Sequence, residues 1–93
     1  MPEHSELIKI FCEIQDPTVM EKFFGEIFTE SERRTFALRW KLMKMLDEGI
    51  SQRKIAAALR ISLCKITRGA KIMKDRHSVT YRLIHESDKN ATI

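Results

Sequence analysis

The sequence predicts an all-α fold of about six helices in a single domain. Three observations carry this. Apolar residues recur at the three- and four-residue spacing of one helix face through most of the 93 residues. Only 3 Gly and 2 Pro are present, too few for the turns of an all-β fold of this length. Helix-start signals separate the apolar stripes at Asp16-Pro17, Thr29 with Glu32, Ser51 and Ser62.

The first helix carries Leu7, Phe11 and Ile14 on one face, widened by Ile8, Ile10 and Cys12. Asp16 and Pro17 stop it and start the next, Asp as N-cap and Pro at the first helical position. The second helix spaces Met20, Phe23, Phe24 and Ile27 along one side. Thr29 and Glu32 form a capping box for a third helix that runs to about Glu48. Its inward residues are expected to be Phe36, Trp40, Met43 and Leu46, with Trp40 packing in the core, and Gly49 closes it. Ser51 caps a fourth helix with Ile55, Ala56 and Leu59 inward. Ser62 caps a fifth, with Leu63, Ile66, Ala70 and Met73 as inward positions. A break over 75–78 precedes a short last helix with Val79, Leu83 and Ile84, and a frayed tail after Ser87.

Composition narrows the function. The longest apolar run, 55–59, is far below the roughly 20 residues of a membrane span. No secretory leader pattern opens the chain. Cys12 and Cys64 stand alone, with no metal-ligand spacing to each other or to His4, His77 and His85. Reduced thiols, a cytoplasmic location, no membrane association, no metal site and no catalytic residues are therefore expected. The net charge of +4 conceals a sharp asymmetry. Residues 1–32 hold 2 basic and 8 acidic side chains; residues 33–76 hold 13 basic and 3 acidic ones. A block with net charge +10 is what a phosphate backbone selects, through release of its counterions.

Residues 7–28 are the opposite extreme, with twelve apolar side chains among them, five of these being Phe11, Phe23, Phe24, Phe28 and Ile14. A small helical monomer has too little interior to cover them all, so this half is read as the interface of a homodimer. The expected organisation is dimerisation helices over 1–28, a core helix over 29–49, a helix pair over 51–74, and a short helix with a tail over 75–93.

That helix pair, SQRKIAAALRISLCKITRGA, carries the chemistry. Two short helices joined by a tight turn need a small residue where they cross, supplied by Ala56. They need apolar facing sides, supplied by Ile55, Leu59, Ile61 and Ile66, and a cap on the second helix, supplied by Ser62. This is the layout of a helix-turn-helix, whose second helix enters the major groove of DNA. Arg60 stands in the turn where a glycine is common, which predicts a slightly different turn. Gln52 and Arg53 suit phosphates or a guanine edge. Ser62, Leu63, Cys64 and Lys65 open the recognition helix where base edges are met, and Thr67, Lys71 and Lys74 extend the donor face.

From Phe28 to Lys74 the chain resembles the tryptophan repressors, ligand-gated helix-turn-helix proteins. The matching stretches are FTESER (28–33), Arg39, SQRKIAAAL (51–59) and ITRGAKIMK (66–74). The resemblance implies an intertwined homodimer that binds double-stranded, palindromic operator DNA with L-tryptophan as co-repressor. It implies that Arg68 stacks on the indole, that Arg39 sandwiches the ring from the other side and faces the ligand carboxylate, that Thr29 lies near the ligand's polar end, and that Gly69 leaves room beside the ring. The chain departs from the family pattern at Lys65, where a threonine is usual, at Ile72 in place of a serine, and at Ala56 in place of a lysine. The junction near Gly49 is one residue shorter.

Three functions fit these residues. The first is a tryptophan-activated repressor of tryptophan-related genes, resting on Thr29, Arg39, Arg68 and Gly69. The second is a ligand-independent helix-turn-helix DNA-binding protein of the same superfamily, favoured by Lys65 and Ile72. The third is a helical protein–protein module with an incidental basic face. Insensitivity of DNA binding to tryptophan separates the second from the first, and lack of salt-dependent DNA affinity marks the third.

Overall fold

A computed structural model describes residues 4–91, with side chains through Glu86. Among the described residues there are six α-helices and no strand: α1 (Ser5–Glu13), α2 (Pro17–Ile27), α3 (Glu30–Asp47), α4 (Gln52–Leu59), α5 (Leu63–Lys74) and α6 (Val79–Ala91). The chain divides into two compact units, Met1–Arg34 and Thr35–Ile93.

The first unit is held by local signals and aromatic contacts. The Asp16 carboxylate accepts the Thr18 N–H at 2.9 Å and Pro17 opens α2, where its missing N–H costs nothing. Phe11 meets Phe23 edge-on at 5.4 Å and stacks on Phe28 at 6.1 Å, while Phe24 leans on Phe28 at 4.8 Å. The Arg33 guanidinium donates to the carbonyls of Gly25 and Phe28, closing the end of α2. Yet no residue of α1 or α2 is buried, and Ile8, Ile10, Val19 and Ile27 are exposed.

The second unit has its own core, in two clusters served by neighbouring residues of α3. Leu42 packs with Ile55 of α4 and Ile66 of α5, surrounded by Met45, Leu46, Ile50, Leu59 and Ile61. Met43 packs with Met73 of α5 and Ile84 of α6, flanked by Ile72 and Tyr81. Consecutive side chains of a helix point about 100° apart, so α3 divides its buried surface between the α4–α5 pair and α6. Ser51 and Ser62 cap α4 and α5 by accepting the N–H groups of Lys54 and Lys65. Ser78 does the same for α6, accepting the Tyr81 N–H at 2.9 Å. The Asp47 carboxylate lies 3.4 Å from His85 Nδ1, linking the end of α3 to the middle of α6.

Several expected inward positions face solvent. Trp40 is 46% exposed, and Phe36, Leu63, Val79 and Leu83 are exposed as well. The buried face of α3 is turned toward Leu42, and α6 buries Ile84 alone among its three candidate residues. Packing against several neighbours decides these orientations; spacing within one helix cannot. The last helix is longer than the sequence reading, reaching Ala91 past Ser87, while positions 92 and 93 lie outside the described residues.

Two turns carry positive φ. Gly49, at φ +83°, ends α3 in a Schellman motif: its N–H donates to Leu46 at 3.0 Å and the Ile50 N–H to Met45 at 3.1 Å. Gly49→Ala is expected to destabilise the protein by about 1 kcal/mol, because a Cβ is strained in this conformation. A thermal melt checks this, and an unchanged midpoint contradicts it. The other is Arg60, at φ 55° and ψ 46°. The helix-turn-helix thus keeps a left-handed turn residue although no glycine supplies it, and the expected change of turn geometry does not occur.

Candidate nucleic-acid interface and ligand cleft

The α4–α5 pair gathers the basic charge. Residues 51–74 contain seven Lys and Arg and no Asp or Glu. Arg53, Lys54, Lys65, Arg68, Lys71 and Lys74 are all exposed, as are Ser62, Leu63, Cys64 and Thr67. Arg60 is exposed between them in the turn. Gln52 is half-buried. Its amide lies 3.4 Å from the Thr67 hydroxyl, which donates to the Leu63 carbonyl at 2.9 Å. These two residues therefore brace α4 against α5 as well as offering polar edges. The Ser62 hydroxyl oxygen is occupied in capping α5, which leaves its proton for an outside acceptor such as a phosphate oxygen. Leu63, misplaced inward by its spacing, is 51% exposed on the first turn of α5. An apolar side chain there suits a thymine methyl group.

Sharing Lys65 and Arg68 with that face, α5 borders a cleft of about 410 Å³ within the second unit. Arg39 stands on the α3 side, and Lys65, Arg68, Gly69 and Ile72 on the α5 side. Leu42 and Met43 line it, Ile61 joins from the turn, and Thr80 contributes from α6. The structure thus brings Arg39, Arg68 and Gly69 to one space, together with both departures, Lys65 and Ile72. Thr29 belongs to the first unit, where it caps α3. Its hydroxyl accepts the Glu32 N–H at 3.1 Å and its own N–H donates to the Glu32 carboxylate at 2.9 Å.

The cleft's chemistry is simple. Its lining includes three cationic side chains and no acidic one, and most of the rest is apolar. Its size lies within the usual range for small-molecule sites. Such a space suits a planar apolar body that carries a carboxylate. Gly69 lets α5 lie close against α3. A Cβ built there meets Met43 Sδ at 3.3 Å and the Leu42 and Leu46 methyls at 3.4 Å. The Arg39 guanidinium lies 6.0 Å from the centre of the Phe36 ring, at the outer reach of a cation–π contact. A shallower depression of about 160 Å³ shares Arg39, Met43 and Thr80 and adds Phe36 and Trp40.

Sequence reasoning did not find Thr80, Leu38, Thr35 or Ile61 as lining residues. They share a cavity only because α3, α5 and α6 cross at particular angles, and no spacing records that. Among the described residues no group of three His, Cys, Asp or Glu could hold a metal, and no helix is long and apolar enough to cross a membrane. Cys12 and Cys64 are exposed free thiols.

A short helix pair with a left-handed turn, an acid-free basic face and a cleft behind its second helix define a helix-turn-helix DNA-binding regulator. The chain belongs to the Trp repressor protein family, whose model matches residues 3–88. It is 35% identical over 72 residues to a Trp operon repressor homolog of Xylella fastidiosa strain M23, covering 76% of this chain and 78% of that protein. It is 30% identical over 70 residues to a Trp operon repressor homolog of Chlamydia caviae, covering 74% of this chain and 69% of that one. No solved structure matches at a significant level. As a member of this family the chain is a transcriptional repressor, and not an enzyme.

Thr67→Ala and Arg53→Ala are each expected to weaken binding to a verified operator by roughly 5- to 50-fold. Arg53→Ala should also flatten the salt dependence, since it removes a cation, whereas Thr67→Ala should leave that slope intact. Anisotropy titrations at two salt concentrations read both quantities. Wild-type affinity in both variants contradicts the placement of the interface.

Proposed function

We propose that this protein is a dimeric repressor of tryptophan-related genes that binds a palindromic operator when L-tryptophan occupies the cleft between α3 and α5. The observation that carries the reading is that one helix, α5, has both faces engaged. Leu63, Cys64, Thr67 and Lys71 look outward, while Lys65, Arg68, Gly69 and Ile72 border the cleft.

The mechanism follows from that placement. Arg39 and Arg68 offer guanidinium planes to an indole and positive charge to its carboxylate, with Lys65 as a third cation at the same site. Leu42 and Met43 supply the apolar floor. Thr29 is assigned to the ligand's polar end by resemblance to the family. A ligand held behind α5 favours the orientations of that helix compatible with the filled cleft. Two recognition helices must lie about one DNA turn apart to read a palindrome. The ligand therefore acts by selecting the conformers that meet this spacing. Because it binds those conformers better, operator DNA must in turn raise the affinity for L-tryptophan.

A homodimer is supported by the first unit, which has a dozen apolar residues and no buried one in α1 or α2. A second copy is the partner that would cover them, in the intertwined arrangement of the family. A cytoplasmic site of action accords with DNA as partner and with free thiols.

Calorimetric titration with L-tryptophan tests the reading, with D-tryptophan and indole as comparisons and a second temperature to exclude a vanishing enthalpy. Saturation at one L-tryptophan per chain supports the co-repressor. Absence of heat at both temperatures, with DNA binding intact, supports the ligand-independent regulator that Lys65 and Ile72 favour.

A further inference from the structure

Arg60 is the one described residue other than glycine with a positive φ. It occupies the turn between α4 and α5, in the left-handed region where a side chain is disfavoured and glycine is not. Strain of this kind persists where something compensates for it. The packing of Leu59 and Ile61, on either side of it, against the Leu42, Ile55 and Ile66 cluster holds the backbone of the turn, but it does not call for an arginine. The Arg60 side chain is exposed, and among the described residues it makes no hydrogen bond, ion pair or ring contact. The α4 carbonyls beside it receive no bond from its guanidinium, so it does not act as a helix cap through its side chain. An asparagine or glycine would hold the same turn with less strain.

The surroundings identify what an arginine there can meet. The turn lies inside the acid-free stretch 51–74, between Arg53 and Lys54 on α4 and Lys65 on α5. No carboxylate of this stretch competes for the guanidinium. An exposed, unpaired guanidinium whose backbone is fixed in the turn, between two cationic helices, matches an anionic oxygen that approaches the helix pair from outside.

We propose that Arg60 is a DNA-backbone contact, a positioning residue that grips a phosphate beside the recognition helix and fixes how α5 enters the groove. The inference rests on the DNA-binding reading of α4 and α5. It assigns to the turn an arginine whose contribution is independent of base sequence, and it explains why the strained residue is a cation.

The experiment compares wild type with Arg60→Gly, Arg60→Gln and Arg60→Lys, all as full chains with saturating L-tryptophan. The probes are a duplex selected by the wild-type protein from a randomised pool and an unselected duplex. Affinities are read by anisotropy between about 50 and 200 mM salt, and stability by thermal melting. Arg60→Gly is expected to melt a few degrees higher and yet to bind both duplexes roughly tenfold more weakly. Its log–log salt slope should be shallower by about 0.9 for each protomer's lost phosphate contact. Arg60→Gln keeps the strain and should show the same loss of affinity. Arg60→Lys keeps the charge and should remain within about threefold of wild type.

Arg60→Gly and Arg60→Gln that bind both duplexes with wild-type affinity and slope overturn the proposal while leaving the interface standing. A loss confined to the selected duplex with an unchanged slope also overturns it, because that is the mark of base reading. A wild-type protein that selects no duplex and binds none overturns the interface itself.

Discussion

Arg68→Ala is expected to abolish the response to L-tryptophan while leaving the fold intact. Arg68 borders the cleft but is exposed, and no core contact depends on it. Loss of a stacked guanidinium that also meets a carboxylate amounts to about 2 kcal/mol or more, roughly a 30-fold weaker ligand affinity. Calorimetry should then show little or no saturable heat, and the melting midpoint should move by no more than a degree or two in the absence of ligand. L-tryptophan should cease to strengthen DNA binding. Arg68→Lys is the informative companion. It keeps the charge and loses the plane, so it should recover only part of the affinity. An Arg68→Ala protein that binds L-tryptophan like wild type would move the ligand site elsewhere.

The second large effect is on the core. Ile66 is fully buried, with Leu42 and Ile55 around it, and it lies on the inner side of α5. Ile66→Ala removes three carbons from a space that α3, α4 and α5 close together. The expected cost is about 2–5 kcal/mol, a large share of what holds a domain of this size. In a thermal melt this corresponds to a fall of roughly 10 °C or more. DNA binding should fail at temperatures the wild type tolerates, although Ile66 is remote from the exposed basic face. Ile66→Val should cost only about 1 kcal/mol and retain function. A melting point within a few degrees of wild type for Ile66→Ala would show that the α4–α5 pair is not anchored through this residue.

Much of the fold was legible because it is written locally. Asp16, the Thr29–Glu32 box, Ser51, Ser62 and Gly49 all act within four residues of themselves, and each sits where its spacing places it. The helix-turn-helix was legible for the same reason, since Ala56, Ile61 and Ser62 encode a crossing and a cap in one short stretch. The faces of α3 and α6 were not. Along α3 the apolar residues Phe36, Leu38, Trp40, Leu42, Met43, Met45 and Leu46 nearly encircle the helix. Periodicity therefore offers more than one inward stripe, and contact with Ile55 and Ile66 selects the one that includes Leu42. On α6 the sequence marks Val79, Leu83 and Ile84 without choosing among them, and packing against Met43 and Met73 selects Ile84. For the cleft, Arg39, Arg68 and Gly69 are marked by resemblance to the family, and the fold adds Thr80 and Leu38, which no motif marks.

Gly69 has a consequence for how this protein can change over generations. The side chains it touches, Leu42, Met43 and Leu46, belong to the two core clusters. Leu42 and Met43 are also the floor of the cleft. A mutation that reshapes the floor therefore disturbs folding in the same stroke. Lys65 and Thr80 are more exposed members of the same wall and belong to neither cluster, whereas Ile72 packs against the Met43 cluster. Changes to the cleft have a narrow route into this fold, along the rim. Position 65 lies on that route.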